Sequence, residues 1–319
     1  MEVAEASPLP KTSGHSRFRP DWLPLETAAY STHPCALTIV KNVEGPSYRP
    51  VGALMTVKAS GGRIGSLSSG CVEADIERHA IDALKDGQTR TVRYGRGSPY
   101  IDITLPCGGG LEILIVPSPD QALLRTAVEV LKQRQPVCLS ICPESGQMSL
   151  TRDCERIGEI DTFFLQLKPD LQFLIFGKGP EVVDFASLSF ATGYGTKVFS
   201  PDTETLQACS FLEDAPIELR RKALPPLARG DLWTAAVMFF HDHDWEPELL
   251  RDLLKLDLYY IGAQGSKNAR LQREQALEEL GVNRKGIARI HGPIGLIPSA
   301  RDSRTLAISV LSEVVALAP

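Results

Sequence analysis

Two glycine-rich turns, each presenting a cysteine, concentrate the chemically capable residues of this chain. The first runs Ser60-Gly61-Gly62-Arg63-Ile64-Gly65-Ser66-Leu67-Ser68-Ser69-Gly70-Cys71-Val72-Glu73, and the second Leu105-Pro106-Cys107-Gly108-Gly109-Gly110. Glycine has no Cβ, so backbone N–H groups in such turns can come close to a ligand. A thiolate held there acts as a soft metal ligand, a nucleophile or a sulfur carrier. No Cys-x-x-Cys pair occurs, which argues against a zinc ribbon or a thioredoxin-like motif. The plain alternatives are an incidental thiol in a hairpin turn for Cys107 and a buried helix-start residue for Cys71. Two such turns in one chain favour function.

Three segments of the second half carry residue types suited to anions or metals. Gly177-Lys178-Gly179 follows an apolar run and opens a helical one, the context of a phosphate at a helix N-terminus. A dinucleotide fingerprint needs Gly or Ala at position 182, where this chain has Val182; Ser200 stands where a strand-end acid belongs, leaving Asp202 as the candidate. Phe240-His241-Asp242-His243-Asp244 ends another apolar run. His241 and His243 suit a metal, although neighbouring carboxylates can equally orient them. In Ile261-Gly262-Ala263-Gln264-Gly265-Ser266-Lys267-Asn268, Ser266 is an N-cap and Lys267 adds charge beside free amides, forming an anion cradle that a simple capped helix also explains.

The elements that position these residues follow from periodicity. Short β-rich runs fill 36–40, 52–57, 89–94, 100–105 and 111–116, interrupted by a helix from Val72 with Gly87 as its C-cap. Cys71 then sits at a helix N-terminus, where the dipole favours a thiolate. A helix over 121–134 and strands at 137–142 and 147–151 complete this part, and Phe163-Phe164-Leu165 can add an edge strand. From Pro169 onward, strands (171–176, 197–199, 235–240, 258–261) alternate with helices (to 192, 246–256, 266–280, 303–317), the pattern of a doubly wound parallel sheet. The domains expected are a flexible tail over 1–20, a first domain over 21–155, a connector over 156–168 and a second domain over 169–319.

At 319 residues the chain is long enough for two full cores. A net charge of −5, with basic residues dispersed, argues against a nucleic-acid surface. No apolar run reaches the length of a membrane span, and the polar N-terminus lacks a signal-peptide core. The seven cysteines are an odd number without a disulfide framework, which leads us to expect a reducing, cytoplasmic setting. Cys138 and Cys142, four apart, are expected as small core hydrophobes sharing one strand face.

Taken in order, Gly61–Ser66, Gly70–Glu73, Pro106–Gly109, Gly177-x-Gly179, His241-Asp242-His243, Ile261-Gly262 through Gly265-Ser266-Lys267, and Gly292-Pro293-Ile294-Gly295-Leu296 resemble the XdhC/CoxI family over nearly all of 30–318. The resemblance implies an α/β protein: an N-terminal mixed α+β XdhC/CoxI-type domain followed by a Rossmann-like doubly wound domain. It also implies an accessory protein without independent turnover. Such a protein holds molybdenum cofactor (molybdopterin) during sulfuration and delivers it to a xanthine dehydrogenase-type molybdoenzyme. A cysteine desulfurase is the implied sulfur source, and a homodimer the implied assembly. The cofactor-binding set expected is Cys71, Cys107, Gly65, Ser66, Gly70, Gly108, Gly109, Gly177, Gly179, His241, His243, Gly262, Gly265, Ser266 and Lys267. Within it, Cys107 and Cys71 face molybdenum or its sulfur, while Ser266, Lys267 and Gly177–Gly179 hold the phosphate. Pro180 stands where the family often has a histidine. The competing readings are an NAD(P)-binding oxidoreductase built on the Rossmann-like domain, and a scaffold that only contacts its target enzyme.

Overall fold

The structure, a computed structural model, describes residues 20–68, 70–98, 105, 108–151, 154, 162–242 and 244–319. The described chain forms two compact units, 20–170 and 171–319.

The first unit comprises α1 (Leu23–Ala29), β1 (Cys35–Glu44), β2 (Leu54–Lys58), β3 (Arg63–Gly65), α2 (Glu73–Asp86), β4 (Arg90–Gly95), β5 (Gly110–Pro117), α3 (Gln121–Lys132), β6 (Val137–Ile141), β7 (Met148–Thr151) and β8 (Phe163–Leu167). Five strands form an antiparallel sheet in the order β3-β2-β1-β5-β4. The central strand β1 is buried along its first six residues because both faces are covered. Leu37 and Ile39 pack with Leu25 of α1 and Leu124 and Val128 of α3. Ala36 and Val40 pack on the other side with Ile76, Ala80 and Ala83 of α2. Those three follow the 3.6-residue period that gives a helix one apolar stripe, and α2 ends at Gly87 in the left-handed conformation, the expected C-cap.

A smaller antiparallel sheet has the order β7-β6-β8. Its edge strand β8 arises from residues expected within the connector. The reading of Cys138 and Cys142 as paired core hydrophobes is corrected. Cys138 is buried but bonded to Cys154 in a disulfide, and Cys142 is a part-exposed free thiol. The strand ends at Ile141, and Cys142 instead opens a turn in which its carbonyl accepts the Gly146 amide. The expected strand over 100–105 lies, apart from Leu105, outside the described residues.

The second unit comprises β9 (Gln172–Gly177), α4 (Pro180–Ala191), β10 (Gly195–Ser200), α5 (Thr203–Ala208), β11 (Ile217–Glu218), β12 (Thr234–Phe239), α6 (Glu246–Leu253), β13 (Tyr260–Ala263), α7 (Lys267–Glu279), α8 (Arg284–Ile287), β14 (Ile290–His291) and α9 (Ser303–Ala316). All six strands are parallel, in the order β11-β10-β9-β12-β13-β14. The chain starts at β9, works outward through β10 and β11, then crosses back to β12 and continues the other way. This is the doubly wound arrangement expected, and it puts the switch point between β9 and β12. Phe173 and Ile175 pack beneath α4 and α9, while Leu174 and Phe176 face α6 and α7. Among the described residues, no helix is long and apolar enough to cross a membrane.

Candidate functional site

In the first unit, the cysteine loop hangs from β3 and feeds α2. Gly65 is a glycine for a steric reason: at φ +97° its missing Cβ would lie 2.4 Å from the Leu54 carbonyl oxygen and 2.7 Å from Pro24. Described residues on both sides of position 69, namely 66–68, 70 and 72, gather around a single carboxylate, that of Glu73. The Ser66 hydroxyl, the Leu67 amide and the Ser68 amide donate to its Oε1 at 2.7, 3.1 and 2.8 Å. The Ser68 hydroxyl and the Val72 amide donate to Oε2 at 2.6 and 3.3 Å. Burial of Glu73 works against ionisation, but these donors and the Gly70 amide outweigh it and bring the carboxyl down to about 2. One helical turn on, Glu77 accepts the Gly62 amide at 2.8 Å and pairs with Arg63 at 2.9 Å, fixing the preceding hairpin tip.

Gly70 and Cys71 are exposed, and Gly70 (φ +95°) has open space where a side chain would be. Of the free cysteines described, Cys35 and Cys209 are buried and Cys142 is part-exposed, so Cys71 offers the most accessible sulfur. Pro106 and Cys107 lie outside the described residues. Their neighbour Gly109 is buried, with no room for a Cβ beside the Pro46 carbonyl oxygen, while Gly108 (φ +70°) is exposed. Arg93 braces this end of the sheet by pairing with Glu112 at 2.7 Å and with Glu44. Through β1, Gly65 is level with Thr38 and Gly110 with Glu44, a separation of about 20 Å along the strand. The loops beyond, rather than the strands, must supply any convergence of the two turns.

In the second unit, the three segments singled out from sequence all lie at the carboxyl ends of parallel strands. The β9–α4 turn presses against the end of β12: a Cβ on Gly177 (φ +151°) would sit 2.4 Å from the Phe239 carbonyl oxygen. Across the switch point, Lys178 Nζ donates to Asp242 at 2.7 Å, and this carboxylate raises the lysine's pKa. His241 Nε2 lies 3.2 Å from Glu181; His243 lies outside the described residues. The Gly179 amide is already used, donating to the Thr205 hydroxyl at 2.8 Å. That hydroxyl in turn donates to Asp202, whose carboxyl is lowered by the Thr205 hydroxyl and amide.

The β13–α7 turn is the more open cradle. Ser266 caps α7 through the Ala269 amide at 3.2 Å, and Ser266 and Lys267 are exposed. Gly262 is buried inside β13, where its missing Cβ makes room for the Tyr260 ring and Ile294. Gly265 lies in the turn at φ +139°. Beneath it, Arg273 donates to the Gln264 carbonyl at 2.6 Å and pairs with fully buried Glu246 at 2.7 Å. Arg270 is held by Glu274 and the Gly292 carbonyl.

Sequence reasoning did not single out the roles of Glu73, Thr205 or the Glu246–Arg273 pair. The signal for Glu73 was its place two residues after Cys71, at the first position of α2. Among the described residues no cluster of three or more metal-ligating side chains occurs.

A family model described as the XdhC Rossmann domain matches residues 173–314, and one described as the XdhC and CoxI family matches 28–95. Over 282 residues the chain is 33% identical to the molybdenum cofactor insertion chaperone PaoD of Escherichia coli (strain K12), an alignment covering 88% of this chain and 82% of that protein. The chain belongs to the XdhC and CoxI family. A second family relative, a probable xanthine dehydrogenase subunit of Bacillus subtilis (strain 168), is 26% identical over 314 residues, covering 88% of this chain and 92% of that protein. The fold matches the crystal structure of a xanthine dehydrogenase from Bacillus halodurans with a TM-score of 0.77, over 94% of this chain and 96% of that one, at 23% identity. The cysteine loop thus falls in the XdhC and CoxI match and the switch-point loops in the XdhC Rossmann match.

Proposed function

We propose that this chain carries molybdenum cofactor as cargo and serves the maturation of a molybdoenzyme of the xanthine dehydrogenase type. The observation that carries the reading is the exposed Cys71 thiol on a loop tied down by Glu73, in a chain one-third identical to a molybdenum cofactor insertion chaperone. Molybdenum in this cargo is sulfur-ligated, and a thiolate is the protein ligand matched to a soft centre. Cys107 is proposed as the second sulfur, flanked by Gly108 and Gly109.

A phosphate is better matched to Gly265–Lys267 than to Gly177–Gly179. The first offers an exposed lysine at the start of a thirteen-residue helix, while the second has its Gly179 amide committed to Thr205 and a proline with no N–H at the first helical position. His241 borders the switch-point crevice beside Lys178 and is assigned a polar contact there. Sulfuration of the cargo on this protein, a cysteine desulfurase as sulfur donor, a homodimer and a cytoplasmic setting belong to the same proposal.

The strand order is that of a dinucleotide-binding fold, which keeps an NAD(P) oxidoreductase as the second reading. Against it, Asp202 is turned to Thr205, and buried Val182 fills the fingerprint's third glycine position. Fluorescence titration with NADH and NADPH is expected to give no micromolar binding.

The proposal is tested by transfer. The chain, purified anaerobically from cells that make molybdenum cofactor, is mixed with a cofactor-free xanthine dehydrogenase-type enzyme. Activity is expected to appear with wild type and to fall with Cys71→Ala and Cys107→Ala. No activation by the wild-type chain, or equal activation by wild type and both variants, would refute it.

A further inference from the structure

We propose that Glu73 is a positioning residue for the Cys71 thiol, its carboxylate acting as the anion around which the cargo-binding loop is built. The inference rests on the reading of Cys71 as a cargo ligand. A loop between a short edge strand and a helix has no ladder to satisfy its amides, and each must find an acceptor or water. Here the amides of Leu67, Ser68 and Val72 and the hydroxyls of Ser66 and Ser68 converge on one side chain. Ser68 Oγ also accepts the Val72 amide at 3.1 Å, joining the two ends of the arch directly. The backbone is therefore fixed at Ser68 and again at Val72, and Cys71 stands exposed on the short span between them.

Each of these partners is a donor, and the chemistry demands an acceptor-only group. A glutamine keeps the length but turns an N–H₂ toward donors, and an aspartate is one methylene short of the loop. Glu73 is also 2% exposed, so its charge is tolerated because those donors surround it and because it lies in the first turn of α2, at the positive end of the helix dipole. Glu77 repeats the device one turn later for Gly62 and Arg63. The first two turns of α2 thus act as a template for the loop. A ligand sulfur must be held within about 0.5 Å of its productive position by the shell that supports it. Glu73 is that shell for Cys71.

The test compares full-length wild type, Cys71→Ala, Glu73→Gln and the milder Ser68→Ala. The probe is molybdenum–molybdopterin released anaerobically from a denatured molybdoenzyme. Binding is measured at equilibrium, the sulfur shell by X-ray absorption at the molybdenum edge, and loop order by peptide-resolved hydrogen exchange. We expect Cys71→Ala and Glu73→Gln each to weaken binding at least about tenfold and to lose one protein sulfur from the shell. In Glu73→Gln and Ser68→Ala, exchange is expected to accelerate over 61–72 alone, with the far-UV spectrum unchanged. Wild-type binding and sulfur shell in Glu73→Gln, with Cys71→Ala impaired, would overturn the positioning role and leave the cargo reading standing. Wild-type binding by Cys71→Ala would remove Cys71 as a cargo ligand, and this inference with it. Should Glu73→Gln not fold, Ser68→Ala decides: binding and exchange identical to wild type would overturn the role.

Discussion

The Gly179 amide donates to the Thr205 hydroxyl at 2.8 Å, closing the turn where a doubly wound sheet ordinarily receives a phosphate. The same hydroxyl donates to Asp202, so the residue placed to hold a ribose is bound into the turn instead. The relay thus engages the Gly179 amide and one carboxylate oxygen of Asp202 at the switch point.

The relay makes a stability prediction. Thr205→Val keeps the shape of the buried side chain but leaves the Gly179 amide without its acceptor and takes a donor from Asp202. A part-buried donor left unsatisfied costs about 1–3 kcal/mol. Urea unfolding of the variant is expected to show a lower midpoint at an unchanged slope, corresponding to that loss of stability. An unchanged midpoint would mean that the hydroxyl does not hold the turn.

Glu73 predicts a response to acid. Its folded pKa, about 2, lies below the ordinary 4.5, so the unfolded chain binds the proton first as pH falls. Its stabilising contribution is complete above about pH 4.5 and is lost between there and about pH 2. Chemical unfolding followed across that window is expected to show a steeper loss for wild type than for Glu73→Gln, which cannot titrate. Parallel curves would contradict the assignment.

The Glu246–Arg273 pair has side chains 0% and 3% exposed and supports the β13–α7 turn through the Gln264 carbonyl. Arg273→Met removes the cation beside a carboxylate that has no access to water, a change that costs about 3–5 kcal/mol. The double variant Arg273→Met with Glu246→Leu is expected to recover most of that loss. Thermal and urea unfolding of the three proteins would check this; additive losses would show that the two charges do not act as a pair.

Much of the fold was legible because the apolar patterns were long. The runs at 173–176 and 235–239 are buried on both faces of a parallel sheet and alternate with helical stretches, which leaves little choice of architecture. Short elements escaped. β11 and β14 are two residues each, and α1, although one face of it joins the first core, is seven residues without a side-chain cap. The disulfide escaped because Cys138 and Cys154 are brought together by the hairpin of β6 and β7, a tertiary fact that spacing alone does not carry.

The candidate site divides in the same way. Glycines that bend the chain or admit a neighbour, such as Gly65 and Gly177, announce themselves as residue type. Gly262 looked the same in sequence but makes room for Tyr260 and Ile294 inside a strand. What a glutamate does depends on where a loop folds back, so the role of Glu73 was visible only once Ser66, Leu67, Ser68 and Val72 were seen around it.

The cargo itself offers the most direct measurement. Wild type and a Cys71→Ala/Cys107→Ala double variant are purified under strict anaerobiosis from cells that produce molybdenum cofactor. Molybdenum is counted by mass spectrometry and pterin by the fluorescence of its oxidised form. We expect both in wild type at comparable stoichiometry and neither in the double variant. Wild-type protein carrying no pterin, or a double variant carrying as much as wild type, would contradict the account.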